Sequence, residues 1–211
     1  MRILITAGPT REAIDAVRFI TNHSSGRMGF ALAEAAQAMG HEVVLIAGPV
    51  SIAPPAVFKY IPVISAAEMA QAVHTNAPSA QVIIMSAAVA DYRPVHPVNG
   101  KMKKKTGILS LELERTEDIL QSLGAAKQPG QILVGFAAES ENLLNYAKEK
   151  LIRKNLDFIA ANDISLSDRG FGAEKNEITL LGRDGCCQVL PLQDKKILAL
   201  ALLKLILPAV K

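Results

Sequence analysis

Tryptophan is absent from the 211-residue chain and aromatic residues make up only 4% of it. Any core must therefore be aliphatic, and the aromatic platforms that single-stranded nucleic-acid binders interleave with basic residues are missing. Cysteine is scarce as well: Cys186 and Cys187 are adjacent, so on a strand they leave opposite faces, and no second pair completes a zinc site or a disulfide framework. That usage predicts a reducing, cytoplasmic setting. No apolar run approaches the roughly 20 residues of a membrane span, since the stretch from Ile197 to Leu203 is closed by Lys204. The opening residues, MRILITAGPT, run straight into a strand-like pattern, without the apolar leader and small-residue cleavage site of a signal peptide. Neither sign of charge dominates: 23 Lys and Arg against 20 Asp and Glu leave +3, too balanced to announce nucleic-acid binding from totals. With 50% hydrophobic residues the chain is too apolar for disorder, and 14 Gly and 11 Pro are too few for a fibre.

What is present is aliphatic and periodic. Arg2 to Thr6, Glu42 to Ala47, Gln81 to Ala87, Gln131 to Phe136 and Leu156 to Ala161 are brief apolar runs bounded by Gly, Asn or Asp, the pattern of buried parallel strands. Helical patterns separate them. From Gly26 to Met39, apolar Met28, Leu32, Ala35 and Met39 recur at helical steps and Gly40 follows as a stop; Ser65 and Glu68 form a capping box opening a helix to about Thr75. Ser140 precedes a helix with Leu143, Leu144, Ala147 and Leu151 on one face and Lys150, Arg153 and Lys154 at its C-terminus. Strands alternating with helices predict an α/β fold with a mostly parallel sheet and helices on both faces. Two segments depart from that rhythm. Ile108 to Glu114 alternates like a half-exposed antiparallel strand, and Glu177 to Leu181 with Cys186 to Leu190 flank Arg183-Asp184-Gly185 as a hairpin. A small appended antiparallel sheet around 108–114 and 177–190 is expected on a single domain spanning 1–211.

In an open parallel sheet, ligands bind beyond the carboxyl ends of the strands. After the first strand, residues 7–26 separate strand from helix, where about 2–6 usually suffice. The segment closes on Asn22-His23-Ser24-Ser25-Gly26-Arg27, placing hydroxyls and free N–H groups at a helix N-terminus suited to phosphate. Ordinary capping by Ser24 or Ser25 is the alternative. Neither G-x-G-x-x-G nor a Walker loop is present. After the Gln81 strand, Met85-Ser86-Ala87-Ala88-Val89-Ala90-Asp91 offers small residues for close approach of a ligand, with Asp91 for a ribose hydroxyl or a metal. Lys101-Met102-Lys103-Lys104-Lys105 is either a solvated loop or a source of charge for a triphosphate. Lys150 and Lys154 share a helical face. His23, His41, His74 and His96 show no metal-ligand spacing.

ITAGPTREAID, VRFITNHSSGRMGFALA, SAAVADYRP, KMKKK, VGFAAES, YAKEKLIRKNLD and ANDIS stand in that order, and together closely resemble bacterial phosphopantothenate-cysteine ligase (phosphopantothenoylcysteine synthetase), the ligase portion of the bifunctional coenzyme A biosynthesis protein. The resemblance runs from Arg2 to the C-terminal helix. It implies a Rossmann-like fold and a CTP-dependent ligation of 4'-phosphopantothenate with L-cysteine through an acyl-cytidylate, in a homodimer needing Mg²⁺. It also implies that Asn22 contacts the acyl-nucleotide and that Lys101 assists its formation. Met85, Ser86, Ala87, Asp91, Glu117, Asp118, Ile119, Leu120, Phe136, Lys150 and Lys154 then fall at nucleotide-holding positions, with Ser24, Ser25, Gly26 and Arg27 in the phosphate loop.

Arg27 stands where Lys is commoner, and Thr116-Glu117 replaces an expected Asn-Pro. The flavin-dependent decarboxylase that many bacteria fuse ahead of this ligase is not in the sequence, so flavin is not expected and the decarboxylase is a fused or separate partner. Nucleic acid and membrane are not expected partners, and the metal ligands stay undefined. Two rivals remain: a nicotinamide oxidoreductase, opposed by the missing glycine fingerprint and by a second strand ending Ala47-Gly48-Pro49 without an acid, and a nucleic-acid module using the lysine run.

Overall fold

The computed structural model describes residues 1–103, 106–139, 142–163 and 173–209. In chain order the elements are β1 (Arg2–Ala7), β2 (Glu12–Ala13), β3 (Phe19–Ile20), α1 (Arg27–Ala38), β4 (Glu42–Ala47), β5 (Lys59–Pro62), α2 (Ala66–Asn76), β6 (Val82–Met85), β7 (Tyr92–Pro94), β8 (Leu113–Arg115), α3 (Ile119–Ala125), β9 (Ile132–Glu139), α4 (Leu143–Arg153), β10 (Phe158–Asp163), β11 (Lys175–Gly182), β12 (Cys187–Asp194) and α5 (Lys195–Ile206).

Eight strands form one sheet in the order β12-β11-β10-β9-β6-β1-β4-β5. From β5 to β10 every neighbouring pair is parallel. The chain winds outward from β1 through β4 to β5, then returns to β6 on the other side of β1 and winds the opposite way. This is the Rossmann order, and it opens a crevice where β1 and β6 diverge. The strands bury both faces, as parallel strands must. Ile3, Ile5 and Ala7 join an aliphatic core with α1 and α5 on one face, whereas Leu4 joins a second core with α2, α3 and α4 on the other. Full burial of a side chain such as Leu32 or Leu45 is worth about 1.5–3 kcal/mol.

Local chemistry explains the helix ends. Ser65 Oγ accepts the Glu68 N–H at 3.2 Å, and the Glu68 carboxylate accepts the Ile64 N–H at 2.7 Å, so the expected capping box closes one residue early. In α4, Ala147 and Leu151 are buried but Leu144 is 44% exposed, so the expected apolar face is narrower than its pattern. Ser140, expected ahead of that helix, lies outside the described residues.

The expected appended sheet is differently made. The hairpin of 177–190 becomes β11 and β12, which extend the main sheet antiparallel from β10. Of 108–114, only its end is strand: β8 pairs antiparallel with β7 in a two-stranded ribbon, and the alternating Leu109, Leu111 and Leu113 are exposed. Alternation marks a strand with one covered face, and no described element covers this one. A further ribbon, β2 with β3, occupies the long segment after β1.

Candidate active site

The crevice holds a cavity of about 360 Å³. Its walls come from the loop and first turn of α1 (Asn22, Ser24 to Gly29), the segment after β6 (Ser86 to Val89, Asp91), β9 (Phe136 to Ala138) and Lys150 of α4, with Asn162, Asn176 and Lys195 from β10, β11 and α5.

Two glycines shape the α1 wall. Gly26 caps the helix at φ 75°, a left-handed conformation, with no side chain capping the first turn; Ser24 Oγ takes only the Gly26 N–H, at 3.4 Å. The first-turn N–H groups thus keep the anion-binding character of a helix N-terminus. Gly29 sits so close to the sheet that a Cβ there would fall 2.5 Å from Ala7 Cβ and 2.9 Å from Ser86 Oγ. Asn22 ties the walls together: its Nδ2 donates to the Ala88 carbonyl at 2.6 Å and its Oδ1 accepts the Ser24 N–H at 3.1 Å.

Polar groups lie deep in the cavity. Asn162 is only 7% exposed, and its Oδ1, like the buried Ser86 Oγ, has no hydrogen-bond partner among the described residues. A buried polar atom without a partner costs on the order of 1–3 kcal/mol, so both mark places where a donating ligand gains most. Lys195, 6% exposed, donates to the Ala173 carbonyl at 2.6 Å. Burial, and then the Arg27 charge, push its ammonium below the usual lysine range. Sequence reasoning missed Asn162, Asn176 and Lys195. Asn162 ends a parallel strand, where the crevice rule points; Asn176 and Lys195 carry no local signal, because the antiparallel extension that delivers them was expected elsewhere.

Of the expected site residues, Asn22, Ser24, Ser25, Gly26, Arg27, Ser86, Ala87, Asp91, Phe136 and Lys150 line this cavity together. Met85 is buried behind it, with Thr6 Oγ1 3.8 Å from its sulfur. Ile119 and Leu120 are buried in the core beneath α3. Glu117, Asp118 and Lys154 form polar contacts outside the cavity lining. Lys154 Nζ lies 2.7 Å from the Asp118 carboxylate, which also caps α3 by accepting the Gln121 N–H. Burial raises the Asp118 pKa, but the Lys154 hydrogen bond, the Gln121 N–H and the charges of Lys154 and Lys150 outweigh it and hold the carboxyl below its usual range. Glu117 accepts from Ser122 Oγ at 2.7 Å and lies 2.6 Å from His74 Nε2; the Ser122 bond and then the His74 bond lower its pKa against the effect of burial. The lysine pair is therefore divided: Lys150 faces the cavity and Lys154 faces Asp118.

Lys101 is exposed and does not line the cavity, yet its neighbour is anchored. Met102 donates its N–H to Asp15 Oδ2 at 3.0 Å and accepts Arg18 Nη2 on its carbonyl at 3.1 Å. The other Asp15 oxygen accepts the N–H groups of Val17 and Arg18. The Arg18 guanidinium, paired directly with Asp15, holds this carboxyl far below the usual range. Lys104 and Lys105 lie outside the described residues. Among the described residues no group of three or more His, Cys, Asp or Glu side chains gathers to hold a metal, and no helix is long and apolar enough to cross a membrane.

Comparison with known proteins adds a family to this geometry. The family described as DNA/pantothenate metabolism flavoprotein, C-terminal domain, matches residues 1–209. The coenzyme A biosynthesis bifunctional protein CoaBC of Bacillus subtilis (strain 168) is 51% identical over 194 residues, covering 92% of this chain and 48% of that protein. Its Escherichia coli (strain K12) counterpart is 44% identical over 206 residues, covering 96% and 50%. The chain thus spans about half the length of the curated relatives it matches. The crystal structure of the C-terminal domain of a CoaBC protein superposes with a TM-score of 0.83 at 46% identity, covering 97% of this chain and 93% of that one.

Proposed function

The chain belongs to the family of C-terminal domains of DNA/pantothenate metabolism flavoproteins, and on that premise we propose that it joins 4'-phosphopantothenate to L-cysteine with CTP as the activating nucleotide. The observation that carries this reading is the convergence, in one crevice, of an open helix N-terminus, the bridging amide of Asn22, Lys150, Phe136 and Asp91, in a chain whose relatives are named for coenzyme A biosynthesis.

A carboxylate is a poor electrophile because its leaving group would be oxide. In the proposed first step a carboxylate oxygen attacks the α-phosphorus of CTP, the bond to the β-phosphate breaks, and pyrophosphate leaves. In the second, the cysteine amine attacks the acyl carbon, the acyl–phosphate bond breaks, and CMP leaves as the amine loses its proton. The α1 N–H groups, Arg27 and Lys150 oppose the charge of the phosphates. One hydrogen of Asn22 Nδ2 is used by Ala88, and the other is left for the acyl oxygen, where charge develops. Phe136 offers a face to the base. Magnesium, when bound, neutralises phosphate charge; since it needs only one or two carboxylates besides the phosphates, the exposed Asp91 on the cavity wall fits as its protein ligand.

The reading extends to a homodimer, supported by the exposed Ile108, Leu109, Leu111 and Leu113 leading into and starting β8, and to a decarboxylase partner, fused or separate, supported by the bifunctional relatives. The test is incubation with 4'-phosphopantothenate, cysteine and either CTP or ATP. Pyrophosphate and CMP in equal amounts, with a clear preference for CTP, are expected. Absence of pyrophosphate with both nucleotides refutes the ligase, and equal rates at equal subsaturating concentrations refute the CTP preference.

A further inference from the structure

An amino acid arrives as an ammonium, which has no lone pair to attack an acyl carbon. Among the described residues, the nucleotide cavity offers few groups to remove that proton. No histidine lines it; His23, next to Asn22 in the chain, lines a second cavity with Arg11 instead. Its one carboxylate, Asp91, is exposed and is the proposed magnesium ligand. The guanidinium of Arg27 does not deprotonate, and Lys150 is only half-buried, with solvent to hydrate its ammonium.

Lys195 is placed differently. It is 6% exposed, and the chain ahead of β11 fixes both of its ends: the Glu174 carbonyl accepts its backbone N–H at 3.3 Å and the Ala173 carbonyl accepts Nζ at 2.6 Å. Its side chain stands on the wall common to the nucleotide cavity and a neighbouring cavity of about 330 Å³, a position it shares with Arg27. The neighbouring cavity brings the charges of Glu34, Glu174, Asp194 and Lys196, of which Glu34 and Lys196 pair at 3.2 Å. Burial first, and then the Arg27 charge, favour the neutral amine. A neutral Lys195 still donates one N–H to Ala173 and gains a lone pair, the state that a lysine base requires.

We propose that Lys195 is the proton acceptor of the second step, taking a proton from the ammonium of the incoming amino acid in the cavity that holds the acyl-nucleotide. The inference rests on the ligase reading. An ammonium loses two protons in becoming an amide nitrogen. The first passes to Lys195 Nζ and frees the lone pair, which then bonds to the acyl carbon. The second leaves that nitrogen as the acyl–phosphate bond breaks, and passes to the phosphate oxygen of the departing CMP. The charge state of Lys195 follows the order of the reaction. A triphosphate in the same cavity favours its ammonium; once pyrophosphate has left, burial and Arg27 favour the amine, so the acceptor is ready when the second step begins.

Wild type, Lys195→Gln and Lys195→Arg are compared in single-turnover reactions with 4'-phosphopantothenate, CTP and either cysteine or hydroxylamine, a nucleophile already unprotonated at neutral pH. Lys195→Gln is expected to release pyrophosphate at the wild-type rate but to pass the acyl group to cysteine about a hundredfold more slowly, with acyl-cytidylate accumulating in mass spectra. Hydroxylamine should discharge acyl-cytidylate equally fast in both proteins. Lys195→Arg keeps the charge but cannot accept a proton, so it should fail with cysteine as Lys195→Gln does. Recovery by arginine would overturn the proposal, because a phosphate ligand needs only the cation. Pyrophosphate release slowed in Lys195→Gln as much as ligation would overturn it too, as would equal slowing with cysteine and hydroxylamine. Wild-type ligation by Lys195→Gln overturns this proposal alone, whereas a wild type that releases no pyrophosphate overturns the ligase reading and this proposal with it. If Lys195→Gln does not fold, Lys195→Met, whose unbranched side chain fills the same buried space without a polar end, carries the same expectations and the same refutations.

Discussion

The amide of Asn22 bridges Ser24 to Ala88 and stands on the cavity wall, so the proposed mechanism asks one side chain to serve both structure and chemistry. Asn22→Ala is expected to release pyrophosphate while losing ligation disproportionately, with acyl-cytidylate accumulating in mass spectra of the stalled reaction. Equal loss of both half-reactions would count against a role at the acyl group. Lys101 lies off the cavity lining beside the anchored Met102, and in the proposed mechanism it acts in forming the acyl-nucleotide. Lys101→Gln should slow pyrophosphate release by about a hundredfold at saturating substrates while changing the KM for CTP little, the signature of charge stabilised in the transition state. Lys103→Gln should be milder. In the same proposed mechanism Asp15 positions that lysine, because it and Arg18 pin Met102. Asp15→Asn should therefore slow the same half-reaction by a smaller factor, leaving CTP affinity intact. Its stability effect has a defined pH window. A carboxyl held far below its usual range stabilises the fold fully above the unfolded value of about 3.9, and this contribution fades as pH falls below that value. The Tm difference between wild type and Asp15→Asn should accordingly be constant near neutrality and shrink below about pH 4.

At the scale of the element, α1 is the piece on which fold and site meet. Its buried face, with Phe30, Leu32 and Ala36, anchors it on the sheet, and Gly29 lets its first turn press against Ala7 and Ser86. Gly29→Ala must push the helix off the strand. Overpacking of this kind costs about 1–3 kcal/mol, which should lower Tm by several degrees in thermal denaturation and weaken nucleotide binding more than a surface substitution such as Lys148→Ala. How far an element was legible depended on its packing. The β4 run Glu42 to Ala47 is expected and observed at the same residues, because Val43 to Ala47, buried on both faces, must be apolar. β5 went unseen because, as an edge strand carrying an exposed Lys59 and ending in Pro62, it needs no apolar run.

At the scale of the molecule, the β7 and β8 ribbon and the segment leading into it expose Ile108, 97% accessible, with Leu109, Leu111, Leu113 and Tyr92. Monomeric proteins rarely leave such side chains together in water. If the proposed homodimer covers them, Ile108→Lys with Leu111→Lys should halve the mass measured by sedimentation equilibrium while circular dichroism stays unchanged. A dimer persisting in that variant would move the interface elsewhere. Local pattern was enough for the alternating α/β architecture, the parallel core strands, the α2 capping box and the crevice-facing loop of Asn22 to Arg27, because each follows from periodicity, from a short capping motif or from one strand's carboxyl end. Long-range packing was needed to show that the 177–190 hairpin widens the main sheet, that Asn162, Asn176 and Lys195 reach the cavity together, that Lys150 lines the cavity while Lys154 pairs with Asp118, and that Arg11 stacks on Phe19 beside a second cavity. Those facts depend on which residues far apart in the chain are brought within a few ångströms of each other, and no local pattern encodes that distance.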